Sequence, residues 1–535
     1  MLQIKNLTLS HKKDLRNIIT DFNFSLNPGD KAVIIGEEGN GKSTLLKWIY
    51  NPELIEAYTE GNGVRILNGE KLAYLPQELP AEDMEKTVYE YFCEEPMFWE
   101  QTPKEIKQMT NKLQLPEDFF YEDQTMRTLS GGERIKVQMA RIMMSAPTVF
   151  LLDEPSNDID IPTLHWLETW IVGSEQPVLY VSHDETLIEN TANVVIHLEQ
   201  IRRKTISRFT VARMPYREYI SQRNAKMNNQ MQQALTERRQ EKIRQEKFQR
   251  IQQKVEQDLN SVSRQDPHGG YLLKKKMKAV KSLEHRYERE AEEMTQKPET
   301  EDAIFFKFGE EITIPSGKVI LDYKLDELAA PISENGEIKE SGELEEAADG
   351  SKPERVLAQD ISLFIKGQEK VCIIGRNGVG KSTLIKYIAA EMLAREDIQA
   401  AYMPQNYEEQ LDMGKTPVEY LAKVGDKEET DRIRLFLGSM KYTIDEMNRP
   451  ISELSGGQKA KVFLLKLSLS GANVLILDEP TRNFSPLSNP VIREVLKAYG
   501  GVIISISHDR KYISEVCDKV YELTEKGLKE ALIDV

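Results

Sequence analysis

Two kinds of hydrophobic pattern alternate along the chain. Short, almost continuous apolar runs such as 31–35 and 370–374 are each followed by polar residues and then by apolar positions spaced three or four apart. A strand that is apolar on both faces belongs in a parallel sheet covered by helices. The pattern therefore predicts two α/β regions, one in each half of the chain.

The middle of the chain follows the helical pattern alone. Residues 216–296 contain almost no strand signal and a single proline, Pro267, which lies beside Gly269 and Gly270. Apolar residues then recur every three or four positions up to residue 294. This spacing predicts a basic linker at 205–300, built as an antiparallel coiled-coil hairpin with its tip at about 260–272.

Three short motifs recur at one fixed offset. The segments 129–133, 152–155 and 182–184 are repeated 325 positions later. A single offset for three motifs indicates two copies of one domain. We place these domains at 1–204 and 301–535.

Composition narrows the class of protein. No apolar run approaches the roughly 18–20 residues that cross a bilayer, and the N-terminus lacks the apolar stretch of a signal peptide. Cys93, Cys372 and Cys517 are isolated, which argues against a disulfide framework or a cysteine metal site. A cytoplasmic protein is expected. Residues 326–354, rich in Glu, Gly and Ser, predict a disordered acidic loop inside the second copy, by default a tolerated surface insertion.

Both copies carry a glycine-rich loop between an apolar strand and a helix, at 36–43 and 375–382. The glycines let backbone N–H groups close around phosphate oxygens, and the following helix N-terminus favours negative charge. The lysine of each loop is expected to reach the β- and γ-phosphates, and the serine to bind Mg²⁺. The candidate residues are Gly36, Gly39, Gly41, Lys42, Ser43 and Thr44 in the first loop, and Gly375, Gly378, Gly380, Lys381, Ser382 and Thr383 in the second.

Two apolar strands end in a pair of carboxylates, Asp153-Glu154 and Asp478-Glu479. Parallel sheets hold their ligands at this end of the strands. The aspartates suit contact with Mg²⁺, and the glutamates are placed to orient or deprotonate an attacking water. A histidine follows a further apolar strand in each copy. The candidate catalytic residues are Glu154, Glu479, His183 and His508.

The Ser-Gly-Gly motifs resemble the signature of ATP-binding-cassette proteins, and the resemblance covers roughly residues 1–200 and 305–530. In that family two cassettes stack head to tail, and each ATP lies between the phosphate loop of one cassette and the signature of the other. The resemblance implies an α/β fold with two P-loop cassettes in tandem and an ATPase that converts ATP and water to ADP and phosphate. It also implies a monomer with intramolecular cassette pairing and no obligate protein subunit.

The resemblance assigns a residue set to each ATP site. The first combines Lys42, Ser43, Gln77, Asp153, Glu154 and His183 with the signature Ser455, Gly456 and Gly457. The second combines Lys381, Ser382, Gln405, Asp478, Glu479 and His508 with the signature Ser130, Gly131 and Gly132. The implied Mg²⁺ ligands are Ser43, Gln77 and Asp153 in the first site, and Ser382, Gln405 and Asp478 in the second.

The two copies also differ. The first phosphate loop has Glu37 and Glu38 where the second has Arg376 and Asn377, and two carboxylates near a triphosphate should weaken its binding unless they point outward. The loop after Glu479 departs further from the family pattern than its counterpart in the first copy does. These differences predict asymmetric communication between the sites.

Positive charge is concentrated in the linker. Residues 216–290 contain 18 Lys and Arg against 10 Asp and Glu, a net charge of +8 in a chain of net charge −16. A charge run is often only a solvated helix face, but its concentration in one element of an acidic protein favours contact with an RNA backbone. Two cassettes joined by such a hairpin resemble the ABC-F proteins, which bind the ribosomal exit site and contact tRNA. The resemblance implies 70S and 50S rRNA and P-site tRNA as partners.

Within ABC-F, the minimal build resembles the Lsa/Vga-type antibiotic-resistance branch. Only 52 residues separate Gln77 from Ser130, too few for an added arm. The resemblance implies displacement of lincosamide, streptogramin A or pleuromutilin drugs from the 50S subunit. A drug-independent translation factor is the alternative, and a cytosolic subunit of a transporter a distant third. Candidate RNA contacts are Arg264, His268, Tyr271, Lys274, Lys275 and Lys276.

Overall fold

A computed structural model gives the fold of the chain. It describes residues 1–13, 15–116, 119–121, 123–201, 205–261, 267–292, 295, 297–298, 308, 312–331, 354–422 and 426–531. The chain divides into two compact units. One contains two α/β cassettes, which we call the first cassette (1–216) and the second cassette (301–535); the other is the helical unit (217–300).

The first cassette begins with strands and alternates them with helices. Its strands are β1 Leu2–His11, β2 Asn17–Leu26, β3 Lys31–Ile35, β4 Thr59–Ile66, β5 Leu72–Leu75, β6 Val149–Asp153, β7 Val178–Val181, β8 Val194–Ile201 and β9 Ile206–Ala212. Its helices are α1 Lys42–Tyr50, α2 Ala81–Met84, α3 Val88–Cys93, α4 Pro103–Leu113, α5 Gly131–Met144, α6 Ile161–Gly173 and α7 Glu185–Thr191.

The central sheet of the first cassette has the strand order β5-β6-β7-β3-β8-β9. The first five strands in this order, β5, β6, β7, β3 and β8, pair in parallel, and β9 runs antiparallel to β8. Strands β3, β6 and β7 are buried along their whole length, as their continuous apolar sequences predict. A smaller antiparallel sheet has the order β2-β1-β4.

Strand β9 corrects the predicted end of the first cassette. Its residues pair with β8, from Val195 opposite Ala212 to Ile201 opposite Ile206. The sheet therefore extends past residue 204, and the compact unit ends at residue 216. Because β9 is an edge strand with mixed polar and apolar residues, it lacks the continuous apolar run that marks the central strands.

The helical unit consists of α8 Tyr216–Ser261 and α9 Pro267–Glu292. Proline is favoured in the first turn of a helix because the N–H that it lacks would have no intrahelical partner there. The predicted tip at 260–272 is thus helical from Pro267 onward, and residues 262–266 lie outside the described residues.

The contacts between α8 and α9 show that the two helices run antiparallel. The rings of Phe248 and Tyr287 lie 5.9 Å apart, centre to centre. Further along α9 and just beyond its end, the Thr295 N–H donates to the Glu237 carboxylate, at 2.7 Å. The later residue of α8, Phe248, thus contacts the earlier partner, Tyr287, and the earlier residue, Glu237, contacts the later one, Thr295. Two helices that pair in this opposite order form a hairpin.

The second cassette has the same kind of alternation. Its strands are β10 Val319–Pro331, β11 Glu354–Lys366, β12 Lys370–Ile374, β13 Ala400–Met403, β14 Val474–Asp478, β15 Val502–Ile506, β16 Lys519–Thr524 and β17 Gly527–Ala531. Its helices are α10 Lys381–Leu393, α11 Pro417–Leu421, α12 Lys427–Ser439, α13 Ile444–Met447, α14 Gly456–Leu469, α15 Asn489–Ala498 and α16 Arg510–Val516.

The sheet of the second cassette has the order β13-β14-β15-β12-β16-β17, which matches the first sheet position by position. Strands β10 and β11 form a separate antiparallel pair. This pair shortens the predicted acidic loop, because residues 326–331 belong to β10 and β11 begins at Glu354. Residues 332–353 lie outside the described residues.

Each central strand divides the hydrophobic core into two layers. In β14, Val474 and Ile476 pack in one buried cluster, whereas Leu475 and Leu477 pack in another on the opposite face. Full burial of such a side chain stabilises the fold by about 1.5–3 kcal/mol. Sheets covered on both faces leave only the ends of their strands open to ligands. None of the helices within the described residues is long and apolar enough to span a membrane.

Candidate nucleotide-binding sites

The first phosphate loop joins β3 to α1. Gly41 has φ +88° and precedes Lys42, the first residue of the helix. A Cβ at Gly41 would lie 2.2 Å from Ile18 Cγ2, so both the conformation and the space require glycine. Lys42 Nζ donates to the carbonyl oxygens of Gly36 at 2.9 Å and Glu37 at 3.2 Å, which holds the amino group over the loop.

The second phosphate loop has the same form. Gly380 has φ +99°, and α10 begins at Lys381. Lys381 Nζ donates to the carbonyl oxygens of Gly375 at 2.8 Å and Arg376 at 2.9 Å. In both cassettes the same backbone path leaves a lysine and a helix N-terminus facing one place, which suits a phosphate group. Among the other predicted residues, the glycines lie in the loops and the hydroxyl residues lie in the first turns of the helices: Gly36, Gly39 and Gly378 in the loops, and Ser43, Thr44, Ser382 and Thr383 in α1 and α10.

The first Asp of each carboxylate pair lies beside the serine of its loop. Ser43 Oγ donates to Asp153 Oδ1 at 2.8 Å, and the Tyr74 hydroxyl donates to Asp153 Oδ2 at 3.1 Å. Burial raises the pKa of Asp153, and these hydrogen bonds partly offset the increase. The result is a buried carboxylate that is already oriented toward the phosphate loop.

Asp478 is held less firmly. Both of its carboxylate oxygens are buried, and neither has a hydrogen bond of normal geometry among the described residues. Burial raises its pKa to about 6, although the neighbouring Ser382 hydroxyl and Lys381 oppose the shift. A serine hydroxyl beside an unsatisfied carboxylate is an all-oxygen donor set of the kind that Mg²⁺ prefers. The residues present therefore fit a magnesium ion.

The predicted glutamines are not brought onto these carboxylates. Gln77 and Gln405 follow β5 and β13, at the same end of the sheet as the aspartates. Gln77 is exposed, and Gln405 is half-buried. In the described part of the chain, no hydrogen bond joins either side chain to the aspartate of its site, so their role as Mg²⁺ ligands stays a prediction.

Glu154 is paired closely with His183. The backbone of Glu154 lies in the left-handed region, at φ +51°, a conformation that costs on the order of 1 kcal/mol and that recurs at functional sites. Its carboxylate accepts from the His183 N–H at 3.1 Å and lies 3.0 Å from His183 Nε2. Burial would raise the pKa of Glu154, but His183 and Lys42 outweigh it, and the pKa is lowered.

Glu479 has the same backbone conformation, at φ +53°, but a weaker partner. His508 Nε2 lies 3.9 Å from its carboxylate. Burial and the neighbouring Asp478 raise the pKa of Glu479 to about 8. Burial and Lys381 lower the pKa of His508 to about 3, so this imidazole is neutral.

The two signatures each begin a helix. Ser130 caps α5 and Ser455 caps α14, and each hydroxyl accepts from the backbone N–H three residues on. The glycines that follow, Gly131 and Gly132 in α5 and Gly456 and Gly457 in α14, form the first turn. A helix start of this kind presents N–H groups that attract anions.

At the first site, the structure joins the phosphate loop to the opposite signature. Glu38 Oε2 accepts from the Gly457 N–H at 2.5 Å, and Glu37 lies 3.1 Å from the Lys461 amino group. His183 Nδ1 lies 2.8 Å from the carbonyl oxygen of Phe484. Residues of the first cassette and residues of the second cassette thus meet at the place where the resemblance puts the first ATP.

At the second site, the phosphate loop meets a different partner. Asn377 Nδ2 donates to the Asp158 carbonyl oxygen at 2.6 Å, and Arg482 lies 2.7 Å from the Asp158 carboxylate. A Cβ on Gly131 would lie 1.8 Å from the same carbonyl oxygen, so the signature adjoins this loop. The two sites therefore have the same parts but different contacts across the cassettes.

Several of these residues were missed by the sequence patterns. Tyr74 and Lys461 lie outside the motifs, and Arg482 belongs to the divergent loop after Glu479, for which the sequence predicted no contact. Their contacts connect segments that are far apart in sequence. Tyr74 was the easiest to find, because it precedes Gln77 by three positions, as Tyr402 precedes Gln405. The burial and charge pairing of Lys461 gave no local signal.

A second set of contacts joins the cassettes through buried ion pairs between α6 and α7 of the first cassette and α15 and α16 of the second. Arg493 lies 2.9 Å from Glu185, and Lys511 also lies 2.9 Å from Glu185. Arg510 is paired with Glu168, and the side chains of Arg493 and Arg510 are almost fully buried. Such pairs are costly to separate, because each partner alone would be a buried charge.

The predicted RNA-contact residues lie at the start of α9. Tyr271 is 66% exposed, and Lys274, Lys275 and Lys276 are exposed as well. Arg264 lies outside the described residues, as does the side chain of His268. The described members of the set are open to a partner.

Comparison with known proteins agrees with this architecture. A family model described as ABC transporter matches residues 19–157 and 358–482. The ribosome protection protein VmlR of Bacillus subtilis (strain 168) is 27% identical over 556 residues, which cover 100% of this chain and 89% of the relative. ABC transporter F family member 5 of Arabidopsis thaliana is 25% identical over 585 residues, which cover 99% and 76%.

A solved structure has the same fold over most of the chain. The archaeal ribosome recycling factor aABCE1, solved in complex with a ribosomal stalk protein, superposes with a TM-score of 0.56 at 17% identity, over 98% of this chain and 89% of its own. The predicted fold class and the predicted ATPase activity are confirmed. The chain is an ATPase with two tandem ABC transporter domains joined by a helical linker.

Proposed function

We propose that this chain is a cytoplasmic ABC-F protein that binds the ribosome near the exit site and the peptidyl-tRNA. Its linker then displaces antibiotics of the lincosamide, streptogramin A and pleuromutilin classes from the 50S subunit. The observation that carries the proposal is the concentration of exposed positive charge on the helical unit of an otherwise acidic chain.

The charge pattern favours RNA over a protein or a membrane partner. Residues 216–290 have a net charge of +8. Because the whole chain has a net charge of −16, the remainder has −24. Lys274, Lys275 and Lys276 are exposed in the first turns of α9. Ribosomal RNA and tRNA present dense phosphate charge, and each lysine that meets a phosphate releases a condensed counterion. An acidic body would be repelled by RNA, so contact is expected through the linker.

The relatives support the assignment to ABC-F and to ribosome protection. The relative named ribosome protection protein aligns with the entire chain, including the linker. A relative named as an F-family member aligns with 99% of the chain. The Lsa/Vga-type branch is proposed because the first cassette has no room for an added arm.

The mechanism that fits the geometry is an ATP-dependent clamp. Lys42 and Lys381 hold phosphate groups, and Ser43, Asp153, Ser382 and Asp478 are the residues that would hold Mg²⁺. Bound Mg²⁺ neutralises phosphate charge during phosphoryl transfer. Glu154 and Glu479 orient the attacking water, and each can take its proton when its own carboxyl group is ionised. Binding of the nucleotide selects the closed pair of cassettes, and hydrolysis releases it, so ATP works as a conformational switch.

A drug-independent translation factor is the second candidate. The F-family relative aligns with 99% of the chain, nearly as much as the ribosome protection relative does, and its name does not mention ribosome protection. Both candidates require ribosome binding, so they differ only in what the linker does there. A transporter subunit is a distant third candidate.

The first test uses a variant that binds ATP without releasing it. The double substitution Glu154→Gln and Glu479→Gln removes both proposed bases and keeps their size. We expect this variant to sediment with 70S ribosomes through sucrose when ATP is present and to stay near the top without ATP. The control is Glu522→Gln, an exposed glutamate on β16, which should release ribosomes as the parent protein does.

Drug protection is tested in a susceptible host. Expression of the parent chain should raise the inhibitory concentration of at least one of the three drug classes, and Glu479→Gln should abolish the increase. Ribosome binding without any increase supports the translation factor. Absence of ATP-dependent co-sedimentation contradicts both candidates, and co-purification with a membrane permease would favour the transporter subunit.

A further inference from the structure

The first phosphate loop contributes a carboxylate to the opposite cassette. Glu38 Oε2 lies 2.5 Å from the backbone nitrogen of Gly457, in the first turn of α14. A Cβ on Gly457 would lie 3.1 Å from Glu38 Cδ, so the missing side chain is what lets the carboxylate approach. The signature is thus in contact with an anion that belongs to the protein itself.

The surroundings of Glu38 are suited to negative charge. Ser455 caps the same helix, whose first N–H groups carry partial positive charge. Lys461 follows one turn later and lies 3.1 Å from the neighbouring carboxylate, Glu37. Two adjacent acidic side chains therefore fill the cationic end of α14, which is where the resemblance places the phosphates of the first ATP.

The second site has no such arrangement in the described part of the chain. Asn377 holds the position equivalent to Glu38, and its amide donates to the Asp158 carbonyl oxygen at 2.6 Å. The neighbour is Arg376, a cation, in place of Glu37. Because the two loops have the same backbone form, the difference lies in these side chains and not in the fold.

We propose that Glu38 sets the ATP affinity of the first site, because its carboxylate takes the place of a nucleotide phosphate on the signature helix and must leave before ATP binds there. Two anions cannot share one N–H group at this distance, since their repulsion in a partly buried place is strong. The first site consequently binds ATP more weakly than the second. Without nucleotide, Glu38 also holds the first loop against the signature.

The displaced side chain has a place to go. A cleft beside Glu38 is lined in part by Lys441, Gln458 and Lys461. A rotation of the Glu38 side chain would move its carboxylate away from Gly457 while keeping it near a cation. Release of Glu38 is therefore a local side-chain movement that does not require the loop to unfold.

The test measures ATP binding at one site at a time, in the full chain that carries Glu154→Gln and Glu479→Gln. Lys381→Ala silences the second site, and Kd for ATP with Mg²⁺ at the first is then measured with and without Glu38→Asn. We expect Glu38→Asn to lower this Kd about tenfold, because it removes the competing charge. An unchanged or increased Kd overturns the proposal.

The reciprocal substitution is the matched control. With Lys42→Ala silencing the first site, Asn377→Glu should raise the Kd of the second site about tenfold, because the added carboxylate competes with phosphate in the same way. An unchanged Kd would show that an acid at this position does not compete, and the proposal would fail. Loss of folding is checked by the thermal unfolding of each variant.

The nucleotide-free state gives a second readout. Fluorescent labels on two exposed leucines, Leu15 in the first cassette and Leu435 in the second, report the distance between the cassettes. Glu38→Asn should broaden this distance distribution without nucleotide and leave it unchanged with saturating ATP. An unaltered nucleotide-free distribution contradicts the proposal. Neither measurement uses ribosomes, so the result stands apart from the proposed function.

Discussion

Glu154 and Glu479 have equivalent positions and unequal partners. Glu154 lies 3.0 Å from a histidine nitrogen, and the other nitrogen of that ring faces the carbonyl oxygen of Phe484. Both ring nitrogens of His183 thus lie close to oxygen atoms of other residues. The His508 ring is buried, neutral and 3.9 Å from Glu479. The same two residue types therefore provide different electrostatics at the two sites.

This difference predicts unequal effects of histidine removal. In a Glu479→Gln background only the first site hydrolyses ATP. There His183→Ala should lower the ATP turnover about 100-fold, because Glu154 loses the ring nitrogen that lies 3.0 Å from its carboxylate. In a Glu154→Gln background, His508→Ala should lower it only about tenfold. Phosphate release measured at saturating ATP checks both values. Equal losses at the two sites would contradict this account.

Asp184 makes the stability depend on pH. Burial raises its pKa from 3.8 to about 6, although Arg510 opposes the shift. The folded state holds the Asp184 proton more tightly than the unfolded state does, so protonation of Asp184 stabilises the fold. This contribution to stability is fully present below about pH 4 and is lost as the pH rises through about 6. Asp184→Asn still caps α7. We expect it to be more stable than the parent at pH 8, by up to about 3 kcal/mol, and similar at pH 4.

Urea unfolding at pH 4, 6 and 8 measures this difference. Asp397→Asn is the control with the opposite sign, because hydrogen bonding with Arg395 lowers the pKa of Asp397 to about 2. The contribution of ionised Asp397 to the free energy of unfolding is present above about pH 4 and is lost as the pH falls through about 2. Asp397→Asn should therefore not be more stable than the parent at pH 8. The prediction would be refuted if Asp184→Asn had the same dependence of unfolding free energy on pH as the parent.

At the scale of elements, the sequence predicted those whose signal is local. The buried strands, the phosphate loops and the two long helices of the linker follow from short apolar runs, glycine spacing and helical periodicity. Strand β9 was missed because an edge strand with mixed polarity has no such run, and the extents of β10 and β11 were missed because they are held by pairing with each other. The contacts of Glu38, Tyr74 and Lys461 needed the folded chain.

Helix α9 provides the sharpest test of the linker. The triple substitution Lys274→Glu, Lys275→Glu and Lys276→Glu should weaken ribosome binding of the ATP-trapped protein at least tenfold (about one lost phosphate contact or more) and should reduce its salt dependence. Binding is measured by co-sedimentation across a salt series. The control, Lys104→Glu, Lys112→Glu and Lys526→Glu, changes three exposed lysines of the cassettes. An equal effect of both triples would point to net charge alone.

At the scale of the whole molecule, the cassettes are joined by the ion pairs as well as by the ATP sites. Arg510→Met should lower the free energy of unfolding by about 3 kcal/mol, because it leaves Glu168 as a buried charge without its partner. Arg355→Met, at an exposed position of β11, should change it by less than about 0.5 kcal/mol. Urea unfolding of the two variants decides between these outcomes. Similar losses would mean that the buried pairs do not stabilise the assembly.

The cluster of Arg493, Arg510 and Lys511 also affects how quickly the clamp works. Because the two cassettes belong to one chain and these side chains also join them, reopening after hydrolysis does not release one half into solution. Each ATP site meets its second half at a high effective concentration that the concentration of the protein does not change. Closure of the cassettes is then a unimolecular step. The time between successive cycles of hydrolysis depends on ATP binding and on product release.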